Sequence, residues 1–203
     1  SFTMLAIPLF IFAGNLMNNT GITSRLVKLA NVLTGHMYGS IGQVSVVLST
    51  LMGGVSGSAV ADAAMECRIL GPEMTKRGYA PGWAAAINCL SGLIVATIPP
   101  SMGLILYGTV GEVSIGRLFV AGFLPGIIMC IFMMIATSWS ARHYGYKPDH
   151  DKPSPPGVII RSCIESIWAL LFPILLIVLI RFGVMTPSES GAFAVFYALF
   201  VGI

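Results

Sequence analysis

The sequence predicts an all-α polytopic membrane protein, and three observations carry that expectation. Of its 203 residues, 56% are hydrophobic and 9% are charged, against roughly 25% charged in a soluble chain. Apolar runs recur at bilayer length. Two of these runs are interrupted from within by glycine or proline, which elsewhere would mark linkers.

Other classes are excluded by the same numbers. Disorder requires low hydrophobicity, and a mean hydropathy of +0.87 is the reverse. Eleven Lys and Arg against eight Asp and Glu leave a net charge of +3, without the dense basic stripe of a nucleic-acid footprint. The cysteines, Cys67, Cys89, Cys130 and Cys163, lack metal spacing and read as small buried hydrophobes. The first 14 residues show neither a basic start nor a cleavage pattern. Apolar runs cut short at both ends predict a fragment of something longer.

A bilayer core about 30 Å thick needs roughly 20 apolar residues per helix. The runs cover residues 2–13, 41–60, 83–107, 118–139, 167–180 and 192–203. Run 167–180 reaches spanning length once Ile159, Ile160, Cys163 and Ile164 precede it, with Arg161 and Glu165 near the interface. Between the first two runs, Ile22, Leu26, Leu29 and Val32 or Leu33 recur at helical spacing around Arg25 and Lys28. That pattern predicts an amphipathic interfacial helix, begun by Asn18 or Thr20 and ended by Gly35. An ordinary cap on a helical bundle is the alternative.

Residues 50–60 read TLMGGVSGSAV, and Thr50, Gly53, Gly54, Ser56, Gly57 and Ser58 leave little to sustain a lipid-facing helix. The expected geometry is helix, tight non-helical tip, helix: a re-entrant hairpin. Its alternatives are one kinked span or a close-packed small-residue interface. In run 83–107, Pro99 and Pro100 disfavour a continuous helix through residue 98. Backbone groups freed in mid-membrane must be buried in protein or meet a ligand. Two such breaks, each beside serine, form the paired signature of a transporter's ion and substrate site.

Loop charge tests the hairpin independently. With a hairpin, Arg25, Lys28, Arg68, Lys76, Arg77, Arg142, Lys147, Lys152 and Arg161 share one side, nine against Arg117 and Arg181. A one-way span moves Arg25 and Lys28 across, giving seven against four. The positive-inside bias favours the hairpin and marks its side as cytoplasmic. Residues 143–157 form a polar, proline-rich connection, where His143 and His150 bracket Asp149 and Asp151 without compact ligand spacing.

Several stretches resemble, in order, the large membrane subunit of TRAP (tripartite ATP-independent periplasmic) transporters, the dicarboxylate-transporter large-subunit family. They are residues 9–14 (LFIFAG), 53–63 (GGVSGSAVADA), 72–79 (PEMTKRGY), 98–101 (IPPS), 107–108 (YG), 114–126 (SIGRLFVAGFLPG) and 186–189 (TPSE). The resemblance implies an ion-transporter-like elevator fold of two inverted repeats. Residues 1–20 would end a scaffold helix and 21–38 form the arm. Residues 39–140 would belong to the transport domain, with hairpin 41–65, broken helix 83–107 and helix 118–139. Residues 141–158 would be the cytoplasmic inter-repeat loop, and 159–203 the start of the second repeat. The second hairpin would follow residue 203.

The resemblance also implies sodium-coupled uptake of an organic acid of dicarboxylate, sialic acid or keto acid type. A periplasmic binding protein would deliver it to a multi-pass permease in the bacterial inner membrane. A small membrane subunit, separate or fused, would complete the complex. Sodium is expected at Gly53, Gly54, Ser56, Gly57 and Ser58, facing Thr97, Pro99, Pro100 and Ser101. Substrate contacts fall to Ser56, Ser58, Asn88 and Ser101, with Thr50 and Asp62 in support. Asp62 would lie near sodium, pair with a base or cap amides, while Glu66, Arg68, Glu73, Lys76 and Arg77 are placed at the interface. The stretch 65–68 (MECR) departs from the small, mostly uncharged residues of the family. Met129, Met133 and Met134 read as packing or lipid-facing.

Ion binding would order both breaks and complete an anion site in a domain that then moves against the scaffold. No Ser/His/Asp or Cys/His pattern suggests an enzyme. The rival readings are an anion transporter without a binding protein, an ion channel and a structural membrane subunit.

Overall fold

The computed structural model describes residues 5–19, 21–150 and 152–202, and among them every regular element is helical. In chain order these are α1 (Ala6–Asn19), α2 (Ile22–Thr34), α3 (Ser40–Ser56), α4 (Ala59–Ile69), α5 (Gly71–Lys76) and α6 (Pro81–Thr97). They continue as α7 (Met102–Val110), α8 (Ile115–His143), α9 (Pro156–Glu165), α10 (Ile167–Arg181) and α11 (Pro187–Gly202). By length and apolarity α8 qualifies alone as a membrane span, and the bent pairs α6–α7 and α9–α10 qualify jointly. Phe123, Leu124, Phe132, Ile135 and Trp139 of α8 all face outward. A water-soluble monomer rarely presents such a contiguous apolar surface.

The hairpin follows from facing side chains. Ser49 of α3 bonds Asp62 of α4, and Ser45 bonds Glu66. Stepping back four residues on one helix while stepping forward four on the other requires antiparallel arms. Both ends of the hairpin accordingly meet the same neighbours. At the start of α3, a Cβ on Gly39 would lie 2.6 Å from Cβ of Ala141 in α8. Beyond α5, Arg77 pairs with Asp149 in the loop after α8. Trp83, opening α6, donates from Nε1 to Ser140 Oγ at 2.8 Å and packs with Tyr79 and Tyr146. A one-way span would have placed the ends of α3 and α4 at opposite poles.

The non-helical tip is shorter than the glycine content suggested. Helix α3 runs through Thr50, Gly53, Gly54 and Ser56, leaving Gly57 and Ser58 as the turn. Gly53 and Gly54 serve close approach: an added Cβ would meet Ile98 Cβ at 2.9 Å and Pro173 Cβ at 2.2 Å, respectively. At those two positions the small-residue interface is the correct description.

Other expectations are corrected as well. Asn18 lies inside α1, so it does not start α2; Gly21, with φ of 77°, occupies that boundary. Thr20 lies outside the described residues, as does Asp151. Gly35 does end α2. Run 167–180 does reach spanning length with the residues before it, as a bent pair in which α9 and α10 meet at 63°. Ser166 at the bend donates to the Arg25 carbonyl at 3.3 Å, tying it to α2. The cysteines are not fully buried: Cys89 is exposed and the others are half-buried. Cys89 shares the outward apolar face of α6 with Leu90 and Leu93. Met129, Met133 and Met134 pack on Val46, Ile94 and Ile98.

Candidate functional site

The tip of the hairpin touches the break between α6 and α7. Gly57 adopts φ of 61°, the left-handed region that glycine enters without penalty. Its carbonyl accepts a hydrogen bond from Met102 N at 3.1 Å. A Cβ on Gly57 would stand 2.6 Å from the Pro100 carbonyl oxygen, so the approach itself requires glycine. Ser58 is extended and caps α4, its Oγ accepting from Ala61 N at 3.4 Å. Ser56 Oγ is buried and has no hydrogen-bond partner.

On the other side, Ile98 turns extended where α6 ends, and the Pro99–Pro100 bond is cis. Ser101 Oγ donates to the Ala96 carbonyl at 2.6 Å, and Thr97 Oγ1 to the Leu93 carbonyl at 3.1 Å. Each hydroxyl spends its hydrogen on the backbone and keeps lone pairs for a cation. Helix α8 backs the break through two glycines. A Cβ on Gly122 would reach Thr97 O at 2.7 Å, and one on Gly126 would reach Ile98 Cγ1 at 2.4 Å. A cleft of about 200 Å³ opens beside the tip, lined by Ser56, Ser58, Ala61 and Met102, with Ile11, Gly14 and Asn15 from α1.

The fold therefore gathers Gly53, Ser56, Gly57, Ser58, Pro99, Pro100 and Ser101 around the tip–break contact, with Thr97 at its margin. It leaves others elsewhere. Gly54 meets Pro173 of α10. Thr50 Oγ1 bonds back to the Val46 carbonyl at 2.8 Å along its own helix. Asn88 lies nine residues before Thr97 on α6, about 13 Å away at helical rise.

Asp62 belongs to a second polar cluster, deeper between the hairpin arms and α6. Its Oδ2 lies 2.9 Å from Ser49 Oγ, with no salt-bridging base among the described residues. Glu66, expected at the interface, is completely buried. Its carboxyl oxygens lie 2.7 Å from Ser49 Oγ and 3.0 Å from Ser91 Oγ, and Ser45 Oγ also contacts it. One helical turn separates Asp62 from Glu66, so both face inward together. A visible signal existed: the spacing of four in Ser45/Ser49 matches that in Asp62/Glu66. Gln43, which no motif in the sequence marks, is buried and donates to Met134 O and Ser138 Oγ, both at 2.8 Å.

The donor set at the tip suits a hard, oxygen-seeking cation. Among the described residues no group of three or more His, Cys, Asp or Glu side chains gathers as a metal cage. Ser56 Oγ, a buried oxygen without a partner on a residue that lines the cleft at the tip, is the observation that fits a sodium ion there.

The family model of the tripartite ATP-independent periplasmic transporter, DctM component, matches residues 1–203. The chain belongs to the DctM family. Among relatives of this DctM chain, the 2,3-diketo-L-gulonate TRAP transporter large permease protein YiaN of Escherichia coli K12 is 40% identical, over 99% of the chain and 47% of the relative. The sialic acid TRAP transporter large permease protein SiaM of Vibrio cholerae is 37% identical over 100% of the chain and 47% of its own length. The isethionate TRAP transporter permease protein DctMQ of Oleidesulfovibrio alaskensis is 34% identical, over 100% of the chain and 32% of the relative. The chain thus spans about half the length of the large permeases it matches.

Proposed function

We propose that this chain is the first-repeat portion, with the start of the second, of a sodium-coupled TRAP permease that takes up an organic acid. The observation that carries the reading is the contact of two backbone breaks, Met102 N to Gly57 O, beside the unpartnered Ser56 hydroxyl. Paired breaks of this kind hold ions and anions in secondary transporters. Sodium would supply positive charge between the tip and the break. Gly57 and Pro100 set the approach, Ser56, Ser58, Thr97 and Ser101 offer oxygens, and the glycines of α8 hold the break in place.

The hairpin and α6–α7 would move as the transport domain of an elevator, against a scaffold that includes α1 and α11. The close fit of Gly191 on Leu9, where a Cβ would lie 2.9 Å away, supports a firm α1–α11 pair. Basic residues gathered near α2, α5 and the loop after α8 support a cytoplasmic placement of that end in the bacterial inner membrane. The relatives' names point to 2,3-diketo-L-gulonate, sialic acid and isethionate, so an organic acid is the shared chemistry. A periplasmic binding protein and a small membrane subunit, separate or fused, are the partners of this reading.

The test is reconstituted uptake by the complete complex, with its binding protein, a panel of organic acids and an imposed sodium gradient. Accumulation and counterflow that require sodium and binding protein are expected. Uptake indifferent to the binding protein would sink the TRAP mechanism, and flux without counterflow would indicate a channel.

A further inference from the structure

The cluster around Asp62 and Glu66 begins one helical turn beyond Ser58, whose carbonyl accepts from Asp62 N at 3.0 Å, and runs down the hairpin from the tip. Its carboxyls have no role in the function above. Asp62 and Glu66 are 1% and 0% exposed, and among the described residues neither forms an ion pair. Among the described side chains, the elements around them bring no compensating charge inward. Helix α3 has no titratable residue, α4 adds half-buried Cys67 and exposed Arg68, and α6 adds only exposed Cys89. Around those helices, Arg25 and Lys28 of α2 are exposed, as are Lys76 of α5 and Arg117, Arg142 and His143 of α8. Glu73 of α5 is engaged with Arg77. Two bare carboxylates buried together in this setting would be very costly.

Hydrogen counting sharpens the problem. Ser49 Oγ stands 2.9 Å from Asp62 Oδ2 and 2.7 Å from Glu66 Oε1. A hydroxyl has one hydrogen and an ionised carboxylate has none, so one of those contacts lacks a hydrogen. Around Glu66, Ser45 and Ser91 also approach each other at 2.9 Å, while Ser91 approaches the Asn88 carbonyl at 3.0 Å. In all, the three serines make six close oxygen pairs with three hydrogens: Ser45–Glu66, Ser45–Ser91, Ser49–Asp62, Ser49–Glu66, Ser91–Glu66 and Ser91–Asn88.

A separate observation comes from α6. The Asn88 amide is 1% exposed, yet neither its nitrogen nor its oxygen has a partner. Asn88 lies three residues before Ser91 and four before Gly92, on the strip of α6 that faces α4. Ser91 meets Glu66 there, and a Cβ on Gly92 would meet Ala63 Cβ at 3.3 Å. Asp62 Oδ1 is likewise buried and unpartnered. Oxygens at hydrogen-bond separation call for a hydrogen between them.

We propose that Asp62 and Glu66, bridged by Ser49, form a proton-binding site inside the hairpin and hold one proton between them. The bound proton lets one carboxyl donate to Ser49 while Ser49 donates to the other, joining the two arms of the hairpin.

The test is infrared difference spectroscopy on the purified full-length permease, titrated in pH at fixed sodium. A protonated-carboxyl carbonyl band at neutral pH is expected, lost on alkalinisation and shifted in heavy water. Glu66→Gln and Asp62→Asn should each remove that band while the folded permease is retained, because each amide replaces a shared proton with fixed hydrogens. A neutral-pH spectrum without the band, or a band surviving in both variants, would overturn the proposal. So would a band abolished by sodium alone at constant pH, since the site would then hold a cation. The wild-type spectrum decides even if a variant fails to fold, and none of these readouts depends on transport.

Discussion

Gly57→Ala is the sharpest perturbation of the tip. The substitution forces an L side chain into φ of 61° and drives its Cβ to 2.6 Å from Pro100 O. Left-handed backbone costs a non-glycine residue about 1–2 kcal/mol, and the clash breaks the Met102–Gly57 hydrogen bond, worth about 1 kcal/mol net. Withdrawing the tip relieves both, and ion binding must then restore them. The combined about 2–3 kcal/mol corresponds to sodium affinity weakened roughly 30- to 140-fold, at 1.4 kcal/mol per tenfold. The assay is sodium-dependence of substrate uptake by the reconstituted full-length permease complex. Gly78→Ala is the control: Gly78 also has positive φ, at 83°, but nothing lies within 4 Å of its added Cβ. It should leave sodium dependence unchanged. A Gly57→Ala permease with wild-type sodium dependence would refute the reasoning that the tip must touch the break.

Three further outcomes are expected. Ser56→Ala combined with Ser58→Ala should abolish sodium-dependent uptake while the protein still folds, as checked by uptake and size-exclusion profile. Gly54→Ala puts a methyl 2.2 Å from Pro173 Cβ and should destabilise the fold by about 1–3 kcal/mol through overpacking; the melting temperature falls while sodium affinity in the folded fraction is kept. Arg77→Ala removes exposed pairs with Glu73 and Asp149. Surface pairs contribute about 0–1 kcal/mol, so its melting temperature should barely move.

The positions of the breaks were legible because glycine and proline act through the local backbone. Pro99 and Pro100 stop a helix whatever surrounds them, and the chain does leave α6 at Ile98. Loop charge was equally informative, since Arg77 and Asp149 do meet at one end of the molecule. The extent of the tip was not legible. Gly53 and Gly54 look the same as Gly57 in sequence, yet only Gly57 needs a left-handed backbone, while the other two make room for Ile98 and Pro173. That distinction depends on partners 45 and 119 residues away (98 − 53 and 173 − 54). Glu66 was misplaced for a similar reason. A glutamate near the end of an apolar run is ordinarily interfacial, and its burial becomes reasonable only once Ser45, Ser49 and Ser91 converge on it. Asn88 was attracted to the site by its polarity, although helical rise separates it from the break.

Equilibrium binding of radiolabelled sodium to the purified full-length permease tests the tip–break site most directly. Saturable binding is expected, competed by unlabelled sodium and not by potassium. It should be weakened in Gly57→Ala and lost in the Ser56→Ala, Ser58→Ala pair. Binding of wild-type strength in both variants would contradict a sodium site built where the hairpin tip meets the broken helix.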